Sequence, residues 1–138
     1  RETRTRPTLL HKKSSHSLNH GGTPIGLSDD HYKTLVEGMQ KAASVGTARR
    51  VKVPGVSIAG KTGTGQWRNN NMNLNVAWFI GFGPVEKPEV AVAVLIEGIV
   101  PQDKIGGGLT ATPVAQKMFQ ASFDKKNNNL ATNRQRSP

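Results

Sequence analysis

The chain has 138 residues, a length that fits one domain or part of a larger one. Nineteen Lys and Arg stand against nine Asp and Glu, so the net charge is +10, with 35% hydrophobic residues and few aromatics. The absence of cysteine excludes a disulfide framework and a thiol nucleophile, and the four histidines have no metal-ligand spacing. No run approaches the ~20 apolar residues of a spanning helix, and no signal-peptide pattern opens the chain. The first residue is Arg1 rather than Met, which reads as a processed chain or a fragment.

Residues 1–24 are polar, basic and turn-rich, with only Leu9 and Leu10 available to anchor them, and are expected to be a poorly ordered leading segment. The periodic signals occupy 25–123. The first helix is predicted over 29–45. Ser28 is its N-cap, Asp29 and Asp30 sit where the helix dipole favours acids, and Gly46 is the stop. Tyr32, Leu35, Val36, Met39 and Ala43 recur at three- and four-residue spacing and predict one buried stripe.

Three strands are predicted next, over 56–64, 76–82 (VAWFIGF) and 90–97 (VAVAVLIE), with a loop by composition at 69–75. The second and third are continuously apolar, which predicts strands covered on both faces, with Trp78 in the core. The connector GPVEKPE is too short for a parallel crossover and predicts an antiparallel hairpin. After the glycine run 106–108, a closely packed or flexible connector, a last helix starts near Pro113. Thr112 is its cap, and Val114, Met118, Phe119 and Phe123 face inward. The stretch from Asp124 to Pro138 is nearly devoid of apolar residues and predicts a disordered basic tail. The fold class is α+β: an antiparallel sheet, three strands here, covered by helices.

The segment AGKTGTGQ carries the chemistry. It places Lys61, Thr62, Gly63 and Thr64 at the end of the first strand, with Lys61 on one face and Thr62 and Thr64 on the other. Small alternate residues let another chain approach the strand backbone. A cation and two hydroxyls beside a free edge suit an extended peptide ending in a carboxylate, paired by strand addition. A plain strand end with an exposed lysine is the competing reading of the four residues alone.

Lys-Thr-Gly is one of three signatures of penicillin-binding proteins and serine β-lactamases. The surrounding sequence resembles the C-terminal part of the transpeptidase domain of class B penicillin-binding proteins, most of all the penicillin-binding protein 2 branch. GMQKAASVGTARRVKVPGVSIAGKTGTGQ is similar to that family's helix, GTA turn and Lys-Thr-Gly-Thr strand. NVAWFIGFGPVEKPEVAVAVLIEG resembles its next two strands, and GGGLTATPVAQKMF its glycine turn and final helix. RPTLLHK resembles a short segment ahead of the first helix.

The resemblance implies a peptidoglycan D,D-transpeptidase that cross-links stem peptides through a serine acyl-enzyme and binds β-lactams. It implies that Lys61 polarises the site and steers the carboxylate. Thr62 and Thr64 would bind the terminal carboxylate of a D-alanyl-D-alanine stem, with Gly63 between them. The Thr64 N–H would be one oxyanion donor, a role often worth ~3 kcal/mol of barrier. No cofactor or metal is implied. The family's nucleophile lies in a Ser-x-x-Lys motif, followed by Ser-x-Asn, both far upstream of Lys-Thr-Gly. This chain therefore reads as a fragment, inactive alone, whose partner is the remaining N-terminal part of the same protein. The membrane would enter only through an anchor in that part. The implied location is the extracytoplasmic face of a bacterial inner membrane.

Other readings stand beside this one. A penicillin sensor or β-lactamase relative shares the Lys-Thr-Gly strand but not the AWFIGF and GTA segments. A basic anion- or nucleic-acid-binding module is suggested by Arg49, Arg50, Lys52, Lys61 and Arg68, an acid-free run. No aromatics interleave with it, so no nucleic-acid partner is expected and the run reads as a solvated face. Ser122-x-x-Lys125 and Ser17-Leu18-Asn19 match the missing motifs by chance, in the wrong order. Residues 55–62 fit the phosphate-loop pattern literally, but Gly63 and Gly65 would break the helix that such a loop requires. Trp67 either lines the groove or caps the sheet. Glu97 reads as a surface residue, and the histidines as unrelated to catalysis.

Overall fold

The computed structural model describes residues 3–4, 23–69 and 72–135, with side chains over 25–68 and 72–125. The chain divides into two compact units, Arg1–Thr34 and Leu35–Pro138. In the first, strands β1 (Thr3–Arg4) and β2 (Thr23–Pro24) pair antiparallel, where the sequence predicts no strands. The rest of the leading segment, with Leu9, Leu10 and Ser17, lies outside the described residues.

Helix α1 spans Asp29–Ser44. Ser28 caps it as expected: its Oγ accepts the His31 N–H at 3.3 Å and its carbonyl the Tyr32 N–H at 2.9 Å. Gly46 ends it, and an added Cβ there would stand 2.8 Å from Ala42 Cα. The predicted buried stripe is corrected. Only Ala43 is buried, Tyr32, Val36 and Met39 are half-buried, and Leu35 is exposed. At the C-terminal end of the helix Ala43 joins the core together with Ala48 and Val51, whereas no residue of its first three turns belongs to that cluster.

One antiparallel sheet follows, ordered β3–β4–β5, with β3 Ala59–Asn69, β4 Met72–Gly83 and β5 Val90–Glu97. The β4–β5 hairpin and the bounds of β5 are as predicted. β3 starts later and runs further than predicted. Of the composition-based loop at 69–75, Asn69 and residues 72–75 are strand, since Asn69 and Met72 already pair, and residues 70 and 71 lie outside the described residues. The β3–β4 ribbon therefore overhangs β5, which pairs only with residues 76–83 of β4.

Residues 107–111 form one π-helical turn that leads into α2, Thr112–Gln135. Thr112 is buried inside the helix rather than flanking it. Its hydroxyl donates back to the Gly107 carbonyl at 2.7 Å, so it closes the π turn instead of capping an N-terminus. The helix runs to Gln135 where the sequence predicts a disordered tail; residues 124–135 contain no Gly or Pro to stop it. The buried stripe is Ala115, Phe119 and Phe123, while Val114 and Met118 are exposed. Phe119 and Phe123 are buried as predicted, and Ala115 takes the place expected of Val114 and Met118.

The core lies between α2 and one sheet face. Phe79 meets Phe119 edge-on, with ring centroids 6.5 Å apart, and Phe119 stacks on Phe123 at 6.4 Å. Gly60 and Gly81 are cross-strand partners, and a Cβ on either would collide with the Phe79 ring at 2.7–2.8 Å. The ring thus lies over a slot that two glycines leave open. The other sheet face carries Trp78, Ile80 and Leu95, which are 44%, 50% and 44% exposed. The expectations of two covered faces and of a core Trp78 are corrected. Ala115, Phe119 and Phe123 of α2 join the core with Phe79, and Trp78, Ile80 and Leu95 stand outside that cluster.

Candidate functional site

Strand pairing fixes how the Lys-Thr-Gly-Thr run is displayed. Lys61 pairs with Ile80, Thr62 with Phe79, Gly63 with Trp78 and Thr64 with Ala77. Because side chains alternate across a strand, Lys61 shares the uncovered face with Ile80 and Trp78, whereas Thr62 and Thr64 lie on the α2 side. β3 is an edge strand of its sheet. The motif occupies the first half of β3, not its end, since the strand continues to Asn69. Lys61 is exposed, and its Nζ donates to the Thr62 carbonyl.

The two threonines meet two other segments. Thr62 Oγ1 lies 2.7 Å from Thr47 Oγ1 in the turn after α1. Thr64 Oγ1 accepts the Gly107 N–H at 3.1 Å. That contact needs glycine: a Cβ at position 107 would stand 2.6 Å from both the Gly63 and Trp78 carbonyl oxygens. The glycine run is therefore a closely packed connector. Arg50 closes the arrangement by donating from Nη1 to the Leu109 carbonyl at 3.3 Å.

These segments enclose a pocket of about 320 Å³ lined by Thr47, Arg49, Arg50, Thr62, Thr64 and residues 106–109. Its lining residues include two arginines and three threonines and no acid. A larger groove of about 770 Å³ lies between the second half of α1 and residues 51–58. Its walls are largely aliphatic and contain no residue of the motif, so the smaller pocket is the chemically equipped one.

The structure thus brings Thr62 and Thr64 to one pocket and displays Lys61 on the other face of the same edge. Gly63, between them, lets Trp78 pack close, 3.3 Å from where its Cβ would be. Sequence reasoning noted the GTA turn but missed Thr47 as the partner of Thr62, since contacts across fifteen residues leave no periodic trace. Trp67 is exposed on the overhanging ribbon, opposite Leu74. The phosphate-loop reading is excluded by geometry: Gly55 has φ +72° in a tight turn joining Val53 and Val56, and Lys61 and Thr62 lie in a strand rather than at a helix start. Among the described residues no group of His, Asp or Glu could hold a metal ion.

Two carboxylates, Glu86 and Asp103, are held below the ordinary range, and neither lines this pocket. Glu86 is held low chiefly by the Ser57 hydroxyl, which donates to it. Asp103 is held low by the N–H groups of Val100 and Ile99, at 3.0 and 2.6 Å from its Oδ2.

Known proteins similar to this chain share one family. The family model for the penicillin binding protein transpeptidase domain matches residues 2–120. The chain is 35% identical over 90 residues to the peptidoglycan D,D-transpeptidase PbpA of Mycobacterium tuberculosis, covering 64% of this chain and 18% of that protein. It is 30% identical over 104 residues to the peptidoglycan D,D-transpeptidase MrdA of Acinetobacter baumannii, covering 67% and 15%. Among solved structures, the transpeptidase domain of the FtsI4 D,D-transpeptidase of Legionella pneumophila superposes with a TM-score of 0.60 at 31% identity, over 77% of this chain and 40% of that one. Penicillin-binding protein A of M. tuberculosis, solved as a ceftriaxone acyl-enzyme complex, gives 0.59 at 34% identity, over 69% and 21%. The chain spans about a fifth of the length of the curated M. tuberculosis relative. The family match covers most of the 138 residues and includes the whole sheet and its Lys-Thr-Gly edge, so the chain belongs to the penicillin-binding protein transpeptidase domain family, among relatives of the PbpA and MrdA type.

Proposed function

We propose that this chain supplies the substrate-binding edge strand of a peptidoglycan D,D-transpeptidase, the activity named for its PbpA and MrdA relatives. The observation that carries this is the display of Lys61, Thr62, Gly63 and Thr64 on an edge strand beside an acid-free, hydroxyl-lined pocket. A stem peptide ending in D-alanyl-D-alanine lies along β3 by strand addition. The Thr62 and Thr64 hydroxyls take its terminal carboxylate, and Lys61 faces the reacting end. The Thr64 N–H serves as one donor to the oxygen that becomes negative in the tetrahedral intermediate.

The serine that attacks the penultimate carbonyl, expels the terminal D-alanine and forms the acyl-enzyme comes from elsewhere in the parent protein. No Ser-x-x-Lys precedes Lys61 in the 138 residues. An amine of a second stem peptide then takes the acyl group and frees the serine. A β-lactam would use the same carboxylate seat, as a mimic of the stem terminus. The parent protein acts on the extracytoplasmic face of the inner membrane, held by an anchor outside these residues; no helix among the described residues is long and apolar enough to cross a membrane.

The test is a chimera in which residues 25–123 replace the matching segment of the M. tuberculosis PbpA protein, labelled with a fluorescent penicillin. A folded chimera is expected to label. Lys61→Ala, and Thr62→Val with Thr64→Val, are expected to slow labelling at least a hundredfold. The 138-residue chain alone is expected to form no covalent adduct. A chimera that melts cooperatively yet does not label, or variants that label at the parent rate, would refute the reading.

A further inference from the structure

The acid-free basic run around the motif has a member that the proposed chemistry leaves unused. Arg49 and Arg50 lie in the single 3-10 turn Arg49–Val51, and both line the pocket that contains Thr47, Thr62 and Thr64. Arg50 is committed to the Leu109 carbonyl. The Arg49 guanidinium is exposed and has no hydrogen-bond or ion-pair partner among the described residues.

The hydroxyls beside it are set to donate. Thr64 Oγ1 already accepts the Gly107 N–H, so its own proton is left for a ligand. Thr47 and Thr62 share one hydrogen bond at 2.7 Å, which uses one of their two protons and leaves the other. Two hydroxyl donors and Arg49 therefore line one cavity with no acid in its walls. Lys61 is on the opposite face of β3 and does not line this cavity.

We propose that Arg49 is the specificity-determining cation of the carboxylate seat that Thr62 and Thr64 line. The Thr64 hydroxyl and the Thr47–Thr62 pair hold the terminal carboxylate of a peptide bound along β3, and the planar Arg49 fork pairs with it. The assignment rests on the reading of β3 as the stem-peptide strand, and it divides the charges: Arg49 selects the free terminus, and Lys61 is left for the reacting end. Because Arg49 is exposed, the pairing is screened by salt and sets preference for a free carboxylate more than total affinity.

The experiment titrates the isotope-labelled 138-residue chain with diacetyl-L-lysyl-D-alanyl-D-alanine and with its C-terminal amide, following the amide resonances of Thr62, Gly63, Thr64 and Gly107. The parent chain is expected to prefer the free acid. Arg49→Gln is expected to weaken acid binding about five- to tenfold and leave amide binding unchanged, and Arg49→Lys to restore part of the preference. Among the described residues the Arg49 side chain makes no hydrogen bond or ion pair, so an unchanged spectrum of the free variant shows that the fold is kept. If Arg49→Gln retains the full preference for the acid, the Arg49 assignment is overturned while the strand reading stands. If the parent chain binds neither peptide at β3, the strand reading itself falls and the Arg49 assignment with it.

Discussion

At Gly107 a single methyl group separates a working turn from a collision. An added Cβ would stand 2.6 Å from two carbonyl oxygens of the sheet and 2.8 Å from Thr62 Cβ. The atoms it meets are backbone or rigidly held, so the π turn would have to lift away from Thr64. Gly107→Ala is expected to cost about 1–3 kcal/mol and to break the Gly107 N–H contact to the Thr64 hydroxyl. Gly38, in the exposed middle of α1, has nothing within 4 Å of its would-be Cβ. Gly38→Ala is expected to stabilise by about 0.5–1 kcal/mol, through the unfolded chain. Urea denaturation of the two variants checks the opposite signs. The sequence marks both as glycine without distinguishing them, because close approach depends on a segment more than forty residues away.

Among the elements, the connector from β5 to the π turn depends on one carboxylate. Asp103 accepts the Val100 and Ile99 N–H groups, and its carbonyl accepts from the Asn75 side chain at 3.0 Å. The Asn75 carbonyl in turn accepts the Gly98 N–H at 2.8 Å. The loop is thus tied to the overhanging end of β4. With its pKa lowered in the folded state, Asp103 contributes stability that is present above the ordinary aspartate range and is lost as pH falls through the lowered value. Exchange protection of the Ile99 and Val100 amides is expected to fall in acid, below about pH 4. In Asp103→Asn it is expected to be lower at neutral pH and flat across that range. β5 and the β4–β5 hairpin were legible from apolar runs and a short proline-rich connector. The stripe of α2 was legible at Phe119 and Phe123 but not at Val114 and Met118, and that of α1 only at Ala43: periodicity reports that an apolar face exists, not that a neighbour is there to cover it.

For the whole molecule, the unequal faces of the sheet matter most. Phe79 is fully buried against Phe119 over the Gly60–Gly81 slot, while its neighbour Trp78 is 44% exposed on the other face. Phe79→Ala is expected to cost about 3–5 kcal/mol. Trp78→Ala is expected to cost about 1 kcal/mol or less in this chain and to reduce binding of a hydrophobic dye, since Trp78, Ile80 and Leu95 form a contiguous apolar patch. Equal losses from the two variants in thermal melts would show that the Trp78 face is covered after all. In the proposed parent enzyme this is also the face that displays Lys61, so whatever covers it stands next to the reacting end of the bound peptide.

The sequence by itself determined the helix, three-strand, helix order, the Ser28 cap, the hairpin and the edge motif. Each rests on local chemistry: side-chain alternation, turn residues, a hydroxyl beside unsatisfied N–H groups, and a four-residue run in a recognisable setting. Only the tertiary structure decided which apolar face is buried, that a π turn leads into α2, and that Thr47, Thr64 and Arg49 meet in one pocket. Those outcomes depend on contacts between residues distant in the chain, and their alignment is set by packing volume and hydrogen-bond geometry that no local pattern records.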